Sequence, residues 1–300
     1  MARILHLVDT SSAVYAGSVN KHSFISGPVV RTANGYRERI IPTGGLSQLF
    51  NIVYQYMNTG TIVFCCDRPP TIKRGMFPGY KGNRHADENV NIQKSIVEYV
   101  LEDCGFTVLY QEGYEADDLI YSCVQKFKNE YDHIYIHTGD SDLYFLVDDN
   151  VGILPTHSRA KTVTRENYEY TVKTNKHIAY NTLSFQKVLD GDMSGKNLPP
   201  LPRPVQNKLV ECFAMPSYQV RMGDKELMRQ LVEFLVPEAL TQFDLIYPLL
   251  ADVPDELYAP SSNERVKGWA HAIRHRKIQG VKMDLSAEIE YLMNNSLYIE

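Results

Sequence analysis

Asp9 follows the apolar run Arg3 to Val8, Asp67 follows Thr61 to Cys66, and Asp140 closes the Thr-Gly-Asp that follows His133 to His137. One Asp at a strand end is ordinarily a solvated turn residue. Three, each at the end of its own apolar run, are harder to attribute to turns. Glu115, Asp117 and Asp118 open a helical pattern, where free N–H groups and the helix dipole accept negative charge. Simple capping is the plainer alternative there. Asp142 lies two residues past Asp140, with an Asp-rich turn as its plainer alternative. So many carboxylates at one edge repel strongly unless cations hold them together. Hard oxygen donors without His or Cys partners suit Mg²⁺ or Mn²⁺ rather than Zn²⁺. Two such ions roughly 3.5 to 4 Å apart can clamp a phosphate, generate hydroxide and stabilise a leaving oxygen. That chemistry is phosphodiester hydrolysis.

The elements that must position these acids are legible around them. Arg3 to Val8 and Thr61 to Cys66 read as buried strands. Between them, Leu46, Leu49, Phe50, Val53, Tyr54 and Met57 fall at helical spacing. Ile92, Ile96, Val97, Val100, Leu101 and Cys104 trace a second helical face that stops at Gly105, a good C-cap. Phe106 to Tyr110 is a third strand, Tyr114 to Phe127 a helix, and His133 to His137 a fourth strand. Strands alternating with helices predict an α/β fold, a mostly parallel sheet flanked by helices. Sites in such sheets lie beyond the carboxyl ends of the strands, where Asp9, Asp67 and Asp140 fall. From about Pro199 the pattern changes to helical segments broken by prolines, which predicts a second, helical region.

The 300 residues are 44% hydrophobic and 22% charged, an ordinary globular composition. The net charge of −5 runs against a nucleic-acid partner, but eight of the 36 acids belong to the motifs discussed here. The remaining 28 face 31 Lys plus Arg, a mildly basic balance. No stretch approaches the roughly 18 consecutive apolar residues of a membrane helix, and the start lacks a signal-peptide layout, so a cytoplasmic protein is expected. Cys65, Cys66, Cys104, Cys123 and Cys212 show no metal-ligand spacing and are expected as reduced, mostly buried thiols.

Six motifs in order carry a family resemblance: Leu-Val-Asp9, Phe-Cys-Cys-Asp67, Tyr80-Lys81-Gly-Asn-Arg84, Gly-Tyr-Glu115-Ala-Asp117-Asp118, Thr-Gly-Asp140-Ser-Asp142 and Asp-Gly-Asp192. The chain resembles the flap endonuclease and 5′-nuclease family, which includes phage ribonuclease H-type enzymes and the 5′-nuclease domain of bacterial DNA polymerase I. The resemblance implies a PIN-like core over residues 1–198, with a helical arch at about 68–104 and a DNA-binding helical region over 199–300. It implies two Mg²⁺ ions, replaceable by Mn²⁺, shared among Asp9, Asp67, Glu115, Asp117, Asp118, Asp140, Asp142 and Asp192. Lys81 and Arg84, with Asp117 and Asp140, would carry catalysis, and Lys73 or Arg74 would help hold the scissile phosphate. Tyr80 would offer a stacking face.

Two departures stand out. The family usually has a second Asp three residues after the one matched by Asp192, where this chain has Gly195, with Lys196 inserted. Its glycine-rich helix-hairpin-helix is replaced by Pro199-Pro-Leu-Pro-Arg-Pro204. The basic run Arg265, Lys267, His271, Arg274, His275, Arg276, Lys277 and Lys282 is the candidate substitute, with a solvated helix face as the plain alternative. The function implied is a 5′-to-3′ nuclease on DNA flaps or 5′ ends, and on RNA:DNA hybrids, in a phage-like replication setting. A single-strand binding protein or polymerase clamp would be its partner. The alternative is a catalytically weakened, structure-specific binding protein.

Overall fold

A computed structural model describes residues 2–18, 24–32, 35–85, 87–156, 161–168, 183–213, 225–260, 263–275 and 297–298. Its centre is a parallel sheet in the order β5-β4-β1-β6-β7. The strands are β1 (Ile4–Asp9), β4 (Thr61–Cys65), β5 (Thr107–Leu109), β6 (His133–His137) and β7 (Val151–Leu154). Helices α1 (Thr10–Ser18), α2 (Gly44–Tyr56) and α4 (Glu88–Asp103) cover one face, and α5 (Ala116–Phe127) the other. The α/β class read from strand and helix alternation is the class observed. α3 (Thr71–Met76) and α4 build most of segment 68–104, and α4 buries Val90, Ile96, Val97, Val100 and Leu101 in the core it shares with α1 and α2. Gly105 ends that helix at φ 77°, the left-handed conformation expected of its C-cap. Gly17 and Gly44 let α1 and α2 touch backbone to backbone, since a Cβ on Gly17 would lie 2.2 Å from the Gly44 carbonyl oxygen.

A hairpin of β2 (Phe24–Thr32) and β3 (Gly35–Pro42) was not expected from the sequence; it forms a separate antiparallel sheet with β8 (Leu297–Tyr298). C-terminally lie α6 (Leu183–Asp190), α7 (Arg203–Phe213), α8 (Lys225–Leu235), α9 (Leu240–Ile246) and α10 (Glu264–His275). The helical character expected past Pro199 is present, and this part packs back onto the rest. Trp269 on α10 is buried in the same cluster as α2 and α4 and donates to Asp103 Oδ2 at 3.0 Å. Among the described residues no helix is long and apolar enough to cross a membrane. Cys65, Cys66, Cys104 and Cys123 are buried and, among the described residues, form no disulfide.

Within the sheet, His6 and His137 are buried with His6 Nδ1 3.0 Å from His137 Nε2. The Thr59 hydroxyl donates to the Tyr56 carbonyl at 2.8 Å, which leaves its oxygen to accept from His6 Nε2 at 3.1 Å. His6 Nδ1 must then accept and His137 Nε2 donate, so the His6 ring is neutral. Burial pushes His6 down to about 4 and His137 to about 3, from an ordinary 6.5. The unfolded chain therefore binds more protons, and this contribution to stability is full above pH 6.5 and lost as pH falls toward 4 and 3. Unfolding free energy should fall by up to roughly 1.4 kcal/mol per pH unit per histidine in that window. Urea unfolding at several pH values checks this: His137→Gln should flatten the slope, and an unchanged slope would remove the histidines as its cause.

Candidate active site

The parallel register puts the acids at one edge. Asp9 pairs with Cys65, two residues before Asp67, and Val8 pairs with His137, three before Asp140. Asp9 is buried; its Oδ1 accepts from the Ser12 amide at 3.0 Å and its Oδ2 from the Thr138 hydroxyl at 2.8 Å. Thr138 also accepts from the Asp140 amide at 3.0 Å, and the Ser12 hydroxyl accepts from the Gly139 amide at 2.7 Å. The ends of β1 and β6 are thereby tied together. Asp140 caps the short 3₁₀ turn Ser141–Leu146 through the Asp142 amide at 2.8 Å.

Asp67 accepts from the Ala116 amide at 2.8 Å and from the Ser11 hydroxyl at 2.5 Å, with Lys94 Nζ at 3.4 Å. Ala116 opens α5, so the free N–H groups and dipole of that helix face this carboxylate. Burial alone would raise Asp67, but Lys94, the Ala116 amide and Ser11 outweigh it and hold it below the ordinary range. Asp9 and Asp117 go the other way. Burial, with Asp67 close by, raises Asp9 to about 6; burial, with Asp140 and Asp9, raises Asp117 to about 8. Among the described residues no group of three or more His, Cys, Asp or Glu side chains is drawn together tightly enough to hold an ion.

The other expected ligands are engaged differently. Glu115 Oε2 accepts from Lys73 Nζ at 2.9 Å and from the Tyr80 hydroxyl at 2.8 Å, and Lys81 pairs with its Oε1. Burial opposes its ionisation, but Lys73 and Lys81 prevail and hold it well below the usual range. Asp118 accepts from the Glu115 amide at 2.8 Å and the Leu249 amide at 2.5 Å and pairs with Lys73 at 2.9 Å. Asp142 is gripped by Lys187 at one oxygen and by Lys196 at the other, 2.6 Å away. Burial, with Lys196 nearby, lowers Lys187 to about 8. Asp192 Oδ1 accepts from the Gly195 amide at 2.8 Å, closing its own turn.

Two expected nucleic-acid contacts need correcting. Lys73 is 2% exposed and Tyr80 0%; one neutralises Glu115 and Asp118, the other donates to Glu115, and neither presents a surface to a phosphate or a base. Arg74 and Arg84 are exposed, Arg84 Nε donating to the Gly195 carbonyl at 2.7 Å. Lys81, half-buried at φ 53°, is held by a bond from its amide to the Lys196 carbonyl at 3.0 Å. In the basic run, Lys267 pairs with Glu264 and Arg265 with Asp103. The Arg274 side chain, Arg276 and Lys277 lie outside the described residues. The residues that sequence reasoning missed are the holders: Ser11, Ser12 and Thr138, whose signal was hydroxyls beside motif acids, and Lys94 and Lys187, which had none.

The chain matches the family described as "5′-3′ exonuclease, N-terminal resolvase-like domain" over residues 5–175. It is 30% identical over 193 residues to a 5′-3′ exonuclease of Aquifex aeolicus, covering 62% of this chain and 63% of that one. It is 29% identical over 188 residues to DNA polymerase I of Caldicellulosiruptor bescii, covering 61% of this chain and 21% of that one. The chain thus spans less than two thirds of the length of these curated relatives. Its fold is similar to a bacteriophage T5 flap endonuclease complexed with DNA and metal ions, with TM-score 0.53 and 16% identity over 98% of this chain and 99% of that one. A zinc-bound T5 5′-exonuclease gives 0.51 and 15% over 97% and 99%. With more than half its residues matched by the family and its acids at the carboxyl edge of the sheet, the chain belongs to the 5′-3′ exonuclease family.

Proposed function

We propose that this chain is a divalent-metal-dependent nuclease that hydrolyses phosphodiester bonds of DNA at or near a 5′ end. The observation that carries this reading is the gathering of Asp9, Asp67, Asp117 and Asp140 at one sheet edge, with Asp9 and Asp117 raised by burial and by like charge. Hard carboxylate oxygens without nitrogen or sulfur partners fit Mg²⁺ or Mn²⁺, and these four would hold it. Asp142 and Asp192 lie beside them; Glu115 and Asp118 support from behind. Bound there, the ion would supply Lewis acidity and a water acidified toward neutral pH.

The chain's own groups do the rest. Ser12 and Thr138 fix the rotamer of Asp9, and the Ala116 amide, Ser11 and Lys94 keep Asp67 ionised. Lys81 and Arg84 sit on a turn tied to the 193–197 loop; Arg84, exposed, and Lys81, on leaving Glu115, would neutralise and orient a phosphate, as would the exposed Arg74 of α3. Residues 1–198 carry the chemistry in this reading, and 199–300 supply duplex contacts. RNA:DNA hybrids offer the same phosphodiester target, and a single-strand binding protein or polymerase clamp would be the partner if flaps or primers are removed during replication. The relatives' names support the activity: one is a 5′-3′ exonuclease and one structure is a flap endonuclease with DNA. The second reading, a catalytically weakened binding protein, is favoured by the lysines on Asp142.

A 5′-labelled DNA flap and a matched RNA:DNA duplex, each with its 5′ end free or blocked by streptavidin, test the substrate. Free ends should be cut in Mg²⁺ and blocked ends much more slowly. Equal rates with free and blocked ends would refute dependence on a 5′ end, and binding without cleavage would select the second reading.

A further inference from the structure

Both oxygens of the Asp142 carboxylate are taken by ammonium groups, Lys187 on Oδ1 and Lys196 on Oδ2. Lys196 is 4% exposed, so its charge is committed to the interior. Lys187, in the last turn of α6, also reaches Ser141 Oγ at 3.4 Å. The loop that delivers Lys196 is built for the purpose. Asp192 and Leu198 bond each other's backbones at 2.8 and 3.1 Å, and the Lys196 amide donates to the Asp192 carbonyl at 3.0 Å. A Cβ at Gly195 would lie 2.4 Å from Asp192 Oδ2, so this conformation has no room for another carboxylate there. The loop is further pinned to the 79–84 turn by Asn83, Arg84 and Asn197, whose side chains donate to the carbonyls of Met193, Gly195 and Gly79 at 2.6, 2.7 and 2.9 Å.

Two ammonium groups thus face Asp142, and Asp192 acts on Lys187 at longer range. A divalent ion entering beside Asp142 would have to displace both lysines, one of them buried. Asp117 makes no direct hydrogen bond or ion pair among the described residues, and Lys196 and Lys81 act on it only at longer range.

We propose that Lys187 and Lys196 are built-in cations that replace a second divalent ion, so that the chain binds a single ion among Asp9, Asp67, Asp117 and Asp140. This rests on the metal-dependent reading above and revises the two-ion expectation. An ammonium neutralises charge but cannot acidify a bound water, so the two halves of the site have different chemistry. Asp9, Asp67, Asp117 and Asp140 would hold the ion that acidifies water, and the two lysines would only offset the charge of Asp142.

Mn²⁺ titration of the whole protein by calorimetry, with electron paramagnetic resonance on the same samples, tests this without reference to activity. Wild type should bind one Mn²⁺ per chain with the spectrum of an isolated ion, and the Lys187→Ala, Lys196→Ala double variant should bind two with a spin-coupled spectrum. Two ions in wild type over the same concentration range would overturn the inference while leaving metal dependence intact, and that arm needs no variant to fold. A folded double variant that still binds one ion would overturn the assignment to these lysines. No binding in wild type would overturn both the inference and the reading beneath it.

Discussion

Asp117→Asn should reduce metal-dependent cleavage on the order of a thousandfold or more while making the metal-free protein more stable. The loss follows from removing a carboxylate from the centre of the acidic edge: metal-assisted stabilisation of a phosphodiester transition state is worth several kcal/mol, and about 4 kcal/mol is a factor of about a thousand. The gain follows from electrostatics. Burial, Asp140 and Asp9 raise Asp117 to about 8, so its charge opposes folding. A carboxyl raised in the folded state favours folding fully only below its unfolded value near 3.8 and progressively less as pH climbs toward 8. Asparagine keeps the shape without that penalty, so the advantage should be on the order of 2 kcal/mol near pH 7.5 in chelator, about 5 °C in Tm, and should shrink on acidification. Calorimetry at pH 5 and 7.5 beside a cleavage assay reads both effects. A variant that loses both activity and stability would mean that Asp117 is structural.

Lys73→Met should be among the most damaging single changes to stability. The side chain is buried between Glu115 and Asp118, 2.9 Å from an oxygen of each. Methionine keeps the stem and removes the charge, stranding two buried carboxylates with Lys81 as the remaining cation on Glu115. Breaking a buried pair from one side costs about 3 to 5 kcal/mol, here about 10 °C in Tm. Adding Glu115→Gln should recover part of the loss, as a double-mutant cycle would show. The same variant separates the buried role from a phosphate contact. The dependence of DNA affinity on salt should be unchanged below the transition, whereas losing one phosphate contact would reduce the slope by about 0.9.

The positions of the acids were legible because they depend on two local patterns and one rule. Apolar runs ending in Asp and helical stripes between them declare a parallel sheet, and a parallel sheet gathers strand ends at one edge. The hairpin at 24–42 is masked in the sequence because Gly27-Pro28 interrupts its alternation, although Val29, Val30, Ile40 and Ile41 flank an Asn34-Gly35 turn signal. Lys73 and Tyr80 misled because residue type suggests phosphate and base, whereas burial depends on tertiary contacts with α5 and the C-terminal helices. Lys187 and Lys196 could not be paired with Asp142 from spacing, since α6 and a loop bring them back to the sheet from far along the chain. Gly195 is a visible departure in the sequence, but only the structure brings Lys187 and Lys196 onto Asp142 beside it.

The most direct measurement is cleavage of a 5′-labelled DNA flap by protein stripped with chelator and then given Mg²⁺, run beside Asp140→Asn. Stripped protein should be silent, Mg²⁺ should restore release of 5′ products, and Asp140→Asn should stay at background with its circular dichroism unchanged. Undiminished cleavage after chelation, or full activity in Asp140→Asn, would contradict a carboxylate-held metal at this sheet edge.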